Sequence, residues 1–292
     1  MYGVGRHFMA NTNLTRMDAA QQPAECTFEL ALLSDVGTDR PDNEDFCGHF
    51  TESPVSTIFA VADGVGGYEG GEVASRMAIE TTIAAYRDSP VEWGAAKRLQ
   101  RAVQRANIEI HNRALSVPEL RRMATTLTAV AIDNGGMPAA HVGDCRLYVL
   151  RYGKVNQITK DHTWVGERVR LGLMTTAQAR EHPERSALNR SLGRELIVSV
   201  DRISMPLKQG DRLIVCTDGL YNVLREPDLE RLTREGSPEE ICRELIEKAN
   251  ARGTADNLTV AFFRMVGPTP PVIPEPGPGL FARLKGLFGR RA

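Results

Sequence analysis

Short apolar segments rich in Val, Ile and Leu recur along the chain, each bounded by Gly, Asp or Asn, and this pattern predicts β-strands. The predicted strands are Phe28–Leu33, Thr57–Ala62, Thr126–Ile132, Ala139–Val142, Arg146–Leu150, Leu196–Arg202, Arg212–Cys216 and Leu258–Phe263. Gly135-Gly136 and Tyr152-Gly153-Lys154 are typical of hairpin connections. The middle strands are therefore expected to pair in antiparallel fashion.

Apolar residues at helical spacing predict five helices between these strands. The predicted helices are Gly71–Tyr86, Val91–Ala114, Thr163–Glu181, Glu226–Arg234 and Ser237–Ala251. The last one opens with Ser237 as a helix cap and Glu240 as its capping-box partner. Two helices follow the early strands and two precede the final strand, which predicts an α+β fold of antiparallel sheets covered by helices.

Composition narrows the class of protein. A chain of 292 residues with 42% hydrophobic residues can bury a sizeable core. Its formal net charge of -1 argues against a general affinity for nucleic acid. The five cysteines form no C-x-x-C pair, which favours a reducing compartment over a disulfide framework or a zinc site. No apolar run is long enough for a membrane span or a signal peptide, so we expect a cytoplasmic protein.

The organisation along the chain changes sharply at both ends. Residues 1–25 are polar and aperiodic and predict a flexible arm, whereas residues 26–266 form one continuous domain without an internal linker. Residues 267–279 contain six prolines and predict a semi-rigid linker. Residues 280–292 combine apolar residues on one helical face with four basic residues, which predicts peripheral contact with the inner membrane or with a partner. A disordered solubilising tail is the alternative interpretation.

Acidic residues recur at the ends of the apolar strands. The run Phe59–Gly67 ends in Asp63-Gly64, and the same device of an acid beside Gly or Asn recurs later in the chain. The candidate acids are Glu44, Asp45, Asp63, Asp144, Asp218 and Asp256. Carboxylates that meet at one site repel each other unless a cation separates them. Because hard oxygen ligands favour Mg²⁺ or Mn²⁺, we expect such a cation here, and two such ions together can activate water for attack at phosphorus.

An arginine accompanies this acidic set. Arg40 lies four residues before Glu44 in the loop that leads to the first acids. A guanidinium near a metal pair is well shaped to hold phosphate oxygens through two parallel hydrogen bonds. The alternative is a surface arginine in an ordinary loop.

Seven short motifs now occur in a recognisable order. They are Arg40-x-x-Asn43-Glu44-Asp45, Asp63-Gly64-x-Gly66-Gly67, Thr125-Thr126, Val142-Gly143-Asp144-x-Arg146, Thr159-x-Asp161-His162, Thr217-Asp218-Gly219-Leu220 and Asp256-Asn257-Leu258-Thr259. In this order they resemble the PPM (type 2C) family of metal-dependent serine/threonine protein phosphatases, and most of all its compact bacterial members. The resemblance covers about residues 26–264.

The resemblance implies a fold and a set of roles. The fold would be a β-sandwich of two mainly antiparallel sheets flanked by pairs of helices, with a dinuclear metal site at one end. Residues 163–193 would form the flap beside that site, with Ser186 near a third metal ion. Arg40 would hold the substrate phosphate, while Glu44 and Asp45 would hold metal-bound water or complete the shell of the second ion. The metal ligands would be Asp45, Asp63, Gly64, Asp218 and Asp256, and Asp144 stands where bacterial relatives bind a third ion.

Two positions depart from the family pattern. Val65 replaces a histidine that many members carry as a candidate general acid, so a metal-bound water or another residue such as His162 would protonate the leaving group. Our preferred interpretation of His162 is a histidine that satisfies loop backbone. Cys145 stands where serine is usual, a near-isosteric change of little expected consequence.

The function that the resemblance implies is hydrolysis of phosphoserine and phosphothreonine on proteins, by direct attack of a metal-activated hydroxide. The enzyme would oppose a serine/threonine kinase and need two Mn²⁺ or Mg²⁺ ions and optionally a third. A monomer is the default expectation. The alternative is a catalytically silent phosphoprotein-binding module of the same fold. A third reading is the same chemistry restricted to one dedicated anti-sigma antagonist.

Overall fold

The computed structural model describes residues 9–10, 27–65 and 70–267. Within these ranges the strands are β1 Met9–Ala10, β2 Phe28–Asp35, β3 Asp45–Ser53, β4 Ser56–Val65, β5 Ala124–Thr125, β6 Leu127–Asp133, β7 Gly136–Val142, β8 Arg146–Arg151, β9 Lys154–Gln157, β10 Asp201–Pro206, β11 Arg212–Cys216 and β12 Leu258–Met265. The helices are α1 Gly70–Arg87, α2 Gly94–Ser116, α3 Trp164–Arg170, α4 Thr176–Glu181, α5 Asp218–Tyr221, α6 Glu226–Leu232 and α7 Pro238–Ala251.

The strands form two sheets. The first has the order β1-β2-β12-β11-β8-β9, and the second has the order β10-β7-β6-β4-β3, with β5 paired to β4. All the strand pairings within the described residues are antiparallel. Apolar side chains of both sheets meet between them, where the rings of Phe59 and Phe263 stack with their centroids 5.8 Å apart. The predicted α+β sandwich of two antiparallel sheets is confirmed.

Helices cover the outer face of each sheet. Helices α1 and α2 pack on the second sheet, and Leu99 and Val103 of α2 are fully buried there. Helix α7 packs on the first sheet through Leu245. Strand β4 is therefore buried on both faces, because Phe59 points between the sheets and Ala60 points toward the helices. This double burial explains why the segment reads as a continuous apolar run rather than an alternating one.

Four of the described strands were not predicted from the sequence: the two-residue strands β1 and β5 and the longer strands β3 and β9. Strand β3 (Asp45–Ser53) is largely half-buried at an edge of the second sheet and carries polar residues along much of its length. Strand β9 (Lys154–Gln157) is mostly exposed at an edge of the first sheet. Edge strands bury little apolar surface, so their sequences lack the hydrophobic signal on which the prediction depended.

Two predicted elements differ in the structure. The strand expected at Leu196–Arg202 is wrong over most of its length, because β10 begins at Asp201 and Ile197 is 78% exposed. The helix expected at Thr163–Glu181 is divided into α3 and α4. Gly172 lies in the interruption with a φ of +70°, a conformation that ends a helix and that glycine adopts readily.

The ends of the chain are described only in part. Within the predicted arm of residues 1–25, strand β1 (Met9–Ala10) pairs with β2, and the remaining residues of the arm lie outside the described ranges. The predicted tail 280–292 and all but the first residue of the linker 267–279 also lie outside them. Among the described helices, none has the length and apolar character needed to cross a bilayer.

Candidate active site

The second sheet places two carboxylates at one end of the sandwich. Asp45 begins β3 and Asp63 lies near the end of β4, and the two residues are direct partners in the antiparallel register. The Thr217 hydroxyl donates a hydrogen bond of 2.8 Å to the Asp45 carboxylate. The backbone amide of Gly64 donates to the carbonyl of Glu44 at 3.1 Å, which extends the pairing past Asp63.

The first sheet brings two more acids to the same end. Asp218 follows β11 after one residue and begins the short helix α5, and Asp256 lies two residues before β12. Strands β11 and β12 are neighbours, and the Thr217 hydroxyl accepts a hydrogen bond of 3.0 Å from the backbone amide of Thr259. Thr217 therefore joins both strands of the first sheet to Asp45 of the second.

The buried carboxyl groups raise one another's pKa values. Burial raises the pKa of Asp45 to about 8, and the charges of Asp218 and Asp256 add to this effect. Burial, followed by the charges of Asp45, Asp218 and Asp144, holds the pKa of Asp63 well above its usual range. The pKa of Asp144 is likewise raised by burial and by Asp218. Asp63 thus lies within electrostatic reach of four other acids, Asp45, Asp144, Asp218 and Asp256, and a cation would relieve their repulsion.

Glycine is required where the backbone passes this end of the sandwich. A Cβ atom on Gly64 would overlap the carbonyl oxygen of Gly71 and lie 2.7 Å from the carbonyl oxygen of Glu44. A Cβ atom on Gly71 would overlap the Glu44 carboxylate. The absence of side chains here lets the start of α1 lie directly against β4 and the loop before β3.

Arg40 lies beside Asp256, whose side chain is 38% exposed. Its Nη2 atom is 3.0 Å from the Asp256 carboxylate, and its Nε atom donates a hydrogen bond of 3.2 Å to the carbonyl of Ala255. The side chain of Arg40 is 47% exposed, so its guanidinium is accessible at the rim. Glu44 lies nearby. Burial raises its pKa above the usual value, and the positive charge of Arg40 offsets only part of this effect.

Asn257 organises the loop that carries these residues, a role that the sequence did not indicate. Its side-chain oxygen accepts a hydrogen bond of 2.9 Å from the backbone amide of Glu44. Its side-chain nitrogen donates to the carbonyls of Val36 and Asp42, both at 2.9 Å. Its position in the motif Asp256-Asn257 could have indicated this role, because a side-chain amide can satisfy backbone donors and acceptors together.

The donor set suits hard divalent ions, since it consists of carboxylate oxygens with backbone carbonyls close by. In the part of the chain that the structure describes, no three His, Cys, Asp or Glu side chains are grouped as a closed set of metal ligands. Asp45 and Asp63 of the second sheet and Asp218 and Asp256 of the first sheet lie at the same end of the sandwich.

Asp144 lies between strands β7 and β8, outside the paired residues Asp45 and Asp63. It follows β7 and is 5% exposed. The nearby Arg146 makes a bidentate ion pair with Asp161, with a shortest distance of 2.7 Å, and its guanidinium stacks 3.6 Å from the centre of the Tyr221 ring. This arrangement holds Arg146 in place, and its positive charge lowers the pKa of Asp144 against the larger effect of burial.

Comparison with known proteins identifies the family. A sequence model described as "Protein phosphatase 2C" matches residues 39–259. The chain belongs to the protein phosphatase 2C family. It is 36% identical to the serine/threonine phosphatase stp of Listeria innocua over 231 residues, which cover 78% of this chain and 92% of that protein.

Solved structures of this family share the fold of the chain. The serine/threonine phosphatase PstP/Ppp of Mycobacterium tuberculosis is 34% identical with a TM-score of 0.74, over 82% of this chain and 99% of that one. A structure of the catalytic domain of PstP in complex with two manganese ions is 32% identical with a TM-score of 0.72, over 82% and 98% of the two chains. The predicted resemblance to the type 2C phosphatases is therefore confirmed.

His162, which adjoins the site of this phosphatase 2C chain, and Cys145, which departs from the family pattern, both make polar contacts in the structure. His162 accepts a hydrogen bond of 3.1 Å from the backbone amide of Gly143 and lies 3.2 Å from the Asp201 carboxylate. Its predicted role in satisfying loop backbone is confirmed. Cys145 is buried, and its sulfur lies 3.0 Å from the Thr126 hydroxyl, which also accepts a hydrogen bond from the amide of Asp63.

Proposed function

We propose that this chain is a metal-dependent protein phosphatase that hydrolyses phosphoserine and phosphothreonine on proteins and thereby opposes a serine/threonine kinase. The observation that carries the proposal is the meeting of Asp45 and Asp63 from one sheet with Asp218 and Asp256 from the other. The Listeria innocua relative, named a serine/threonine phosphatase, supports the same substrate class.

The residues that would hold the metal are those at the shared end of the two sheets. We propose that two ions of Mn²⁺ or Mg²⁺ bind here and that Asp144 contributes to a third. The proposed ligands are the carboxylates of Asp45, Asp63, Asp218 and Asp256 and the carbonyl of Gly64. Such ions, when bound, make water a strong nucleophile at neutral pH and neutralise charge that develops on phosphate oxygens.

Arg40 is the proposed phosphate-binding residue. Its guanidinium presents a planar fork of donors, a shape that matches two phosphate oxygens. In the structure this fork is oriented by the Ala255 carbonyl and by Asp256. The remaining donors of this held guanidinium can bind a substrate phosphate, and its fixed orientation lowers the entropy lost on binding.

Glu44 is proposed to hold water at the same site. Its carboxylate lies against Gly71 at the start of α1, and its backbone is fixed by Asn257. Burial raises its pKa and so favours proton uptake, whereas Arg40 favours the charged form. We therefore assign Glu44 to holding and orienting water rather than to binding phosphate.

The deciding experiment measures hydrolysis of a phosphothreonine peptide with Mn²⁺, with Mg²⁺ and with EDTA. Turnover should require a metal and should fall at least a hundredfold in Asp218→Asn. The matched control is Asp88→Asn, because Asp88 is an exposed acid beyond the far end of α1. Absence of turnover from folded, metal-loaded protein on several phosphopeptides would instead favour the silent binding module.

The cellular setting is a separate proposal. We propose a cytoplasmic enzyme whose residues 280–292 contact the inner membrane or a partner near a membrane-anchored kinase. The basis is the sequence alone, in which apolar residues fall on one helical face with four basic residues around them. Deleting residues 267–292 should reduce binding to the membrane fraction, and unchanged binding would contradict the proposal.

A further inference from the structure

A large cavity adjoins the candidate active site. Its volume is about 580 Å³, and it lies between the residues 163–193 and the sandwich, with Asp218 on its wall. Six cationic and four anionic side chains line it. The cationic residues are Arg146, Lys160, Arg170, Arg180, Arg185 and Arg190. Cationic side chains therefore outnumber anionic ones on this wall, even when Asp218 of the proposed metal site is counted among the acids.

Four of the six cations are already neutralised by a neighbouring acid. The ion pairs are Arg146 with Asp161, Arg170 with Glu167, Arg180 with Glu226 and Arg190 with Asp201. The first and last of these have N–O distances of 2.7 Å and 2.8 Å, so their guanidinium groups are firmly held. These pairs shape the wall of the cavity but leave little charge for a ligand.

Arg185 and Lys160 remain without an acidic partner among the described residues. Both residues are exposed, and neither side chain makes an ion pair or a hydrogen bond within the described part of the chain. Arg185 and Asp218 both line this cavity. An available guanidinium thus lies on the same cavity wall as one of the proposed metal ligands.

We propose that this cavity is an anion subsite that takes an acidic side chain of the phosphoprotein close in sequence to the residue being hydrolysed. The ligand chemistry is an oxyanion, either a second phosphate or a carboxylate, bound by Arg185 with Lys160. The inference rests on the proposed function, because it assigns the substrate class of the same enzyme. Guanidinium groups bind both anions through paired, charge-assisted hydrogen bonds.

The size of the cavity sets the distance between the two anions. A volume of 580 Å³ corresponds to a space about 10 Å across. An extended peptide advances about 3.3–3.6 Å per residue, so an acid two to three residues from the phosphoresidue spans this space. The volume lies within the range of sites that enclose whole side chains, which favours a peptide segment over a lone ion.

The test compares phosphothreonine peptides that differ at one position. One set of peptides carries phosphoserine, glutamate or alanine three residues before the phosphothreonine. A parallel set carries the same residues three positions after it. The wild-type kcat/KM should be about tenfold higher for the acidic peptides than for the alanine peptide, mainly through a lower KM. In Arg185→Gln this preference should fall toward one, and Arg185→Lys should retain part of it.

Matched variants separate the subsite from a general loss of positive charge. Arg234→Gln and Lys248→Gln remove exposed cations that do not line the cavity, and they should keep the preference. Lys160→Gln should reduce it less than Arg185→Gln. A preference for phosphoserine alone assigns the subsite to a second phosphate, and a preference for both acids assigns it to acidic residues in general.

Two results would overturn the subsite. One is equal kcat/KM for all three peptides in the wild type, with turnover intact. The other is a preference for acids that Arg185→Gln leaves unchanged. If no peptide is hydrolysed, the proposed function fails. The anion subsite is then tested by measuring the binding of the same peptides, fluorescently labelled, by fluorescence anisotropy. Tighter binding of the acidic peptides that depends on Arg185 supports the subsite, and equal binding overturns it.

Discussion

The side-chain oxygen of Asn257 accepts a hydrogen bond of 2.9 Å from the backbone amide of Glu44, although 213 residues separate the two along the chain. Asn257 lies between Asp256 and strand β12, and Glu44 immediately precedes strand β3. The bond therefore ties the loop before the second sheet to an end of the first sheet. It fixes the spacing between acids that belong to different sheets.

Replacing Asn257 by alanine should weaken both the fold and the site. The change leaves the Glu44 amide and the carbonyls of Val36 and Asp42 without their partner, and we expect a loss of about 3 kcal/mol of unfolding free energy. Phosphatase activity should fall at least tenfold at a temperature where the variant is folded. Denaturant unfolding and peptide hydrolysis measure the two effects, and Asn156→Ala, an exposed asparagine in β9, should change neither.

Arg40→Ala should separate activity from stability. Loss of the fork should lower kcat/KM by roughly 10- to 100-fold, because it removes charge-assisted hydrogen bonds to phosphate. Stability should change by less than about 1 kcal/mol, since exposed ion pairs contribute little. Arg105→Ala breaks a comparably exposed ion pair on α2 and should leave kcat/KM unchanged. A large loss of stability in Arg40→Ala with unaltered kinetics would contradict the assignment.

The metal-free protein should become less stable as the pH rises from about 4 to about 8. The folded-state pKa of Asp45 is raised from 3.8 to about 8 and that of Asp218 to about 6, so the folded protein binds protons that the unfolded chain has released. Stability then decreases with pH across this window. Thermal unfolding in EDTA at pH 5, 6, 7 and 8 measures the slope, and a rise in stability over this range would refute the prediction.

Asp45→Asn should flatten that slope and stabilise the metal-free protein at pH 8. Removing one buried, uncompensated charge should contribute about 2 kcal/mol, or roughly 4–8 °C in Tm. The same variant should lose the stabilisation that Mn²⁺ gives the wild type, which we expect to be larger at pH 8 than at pH 5 because metal ligands must be deprotonated. A Tm below that of the wild type in EDTA would count against the acidic cluster.

Gly64→Ala should destabilise the protein by about 1–3 kcal/mol and abolish activity, because the added Cβ overlaps the Gly71 carbonyl and crowds Glu44. Gly70→Ala is the matched control at the same end of α1. Its Cβ would meet Met123 at ordinary contact distances of 3.4 Å and above. Thermal unfolding should therefore give a lower Tm for Gly64→Ala than for Gly70→Ala. Equal Tm values for the two variants would contradict the packing argument.

Much of the fold could be predicted because its central strands are buried on two faces. The apolar runs around Phe59 and Ile214 read as strands, and an acid followed by glycine marks the end of each. The candidate acids of both sheets were found for the same reason. Strand ends at one edge of a sandwich converge, so residues far apart in sequence share one location.

The remaining features depend on contacts that a sequence pattern does not encode. The edge strand β3 is too polar to be detected, although it begins with Asp45. The pairing of Asp45 with Asp63 is a matter of strand register, which depends on the whole sheet. The cavity beside Asp218 likewise results from the packing of α3 and α4, whose separation at Gly172 the helical spacing did not indicate.

Strand β12 lies in the interior of the first sheet, between β2 and β11, although it is the last strand in chain order among the described residues. Its register runs from Leu258 against Asp35 to Met265 against Phe28, so the first and last long strands of that sheet complete each other. Any fragment that stops before β12 leaves β2 and β11 with open edges and lacks Asp256. We therefore expect the site to be completed during synthesis only when this strand has been made. A chain terminated before β12 should be inactive and should expose unpaired strands to aggregation.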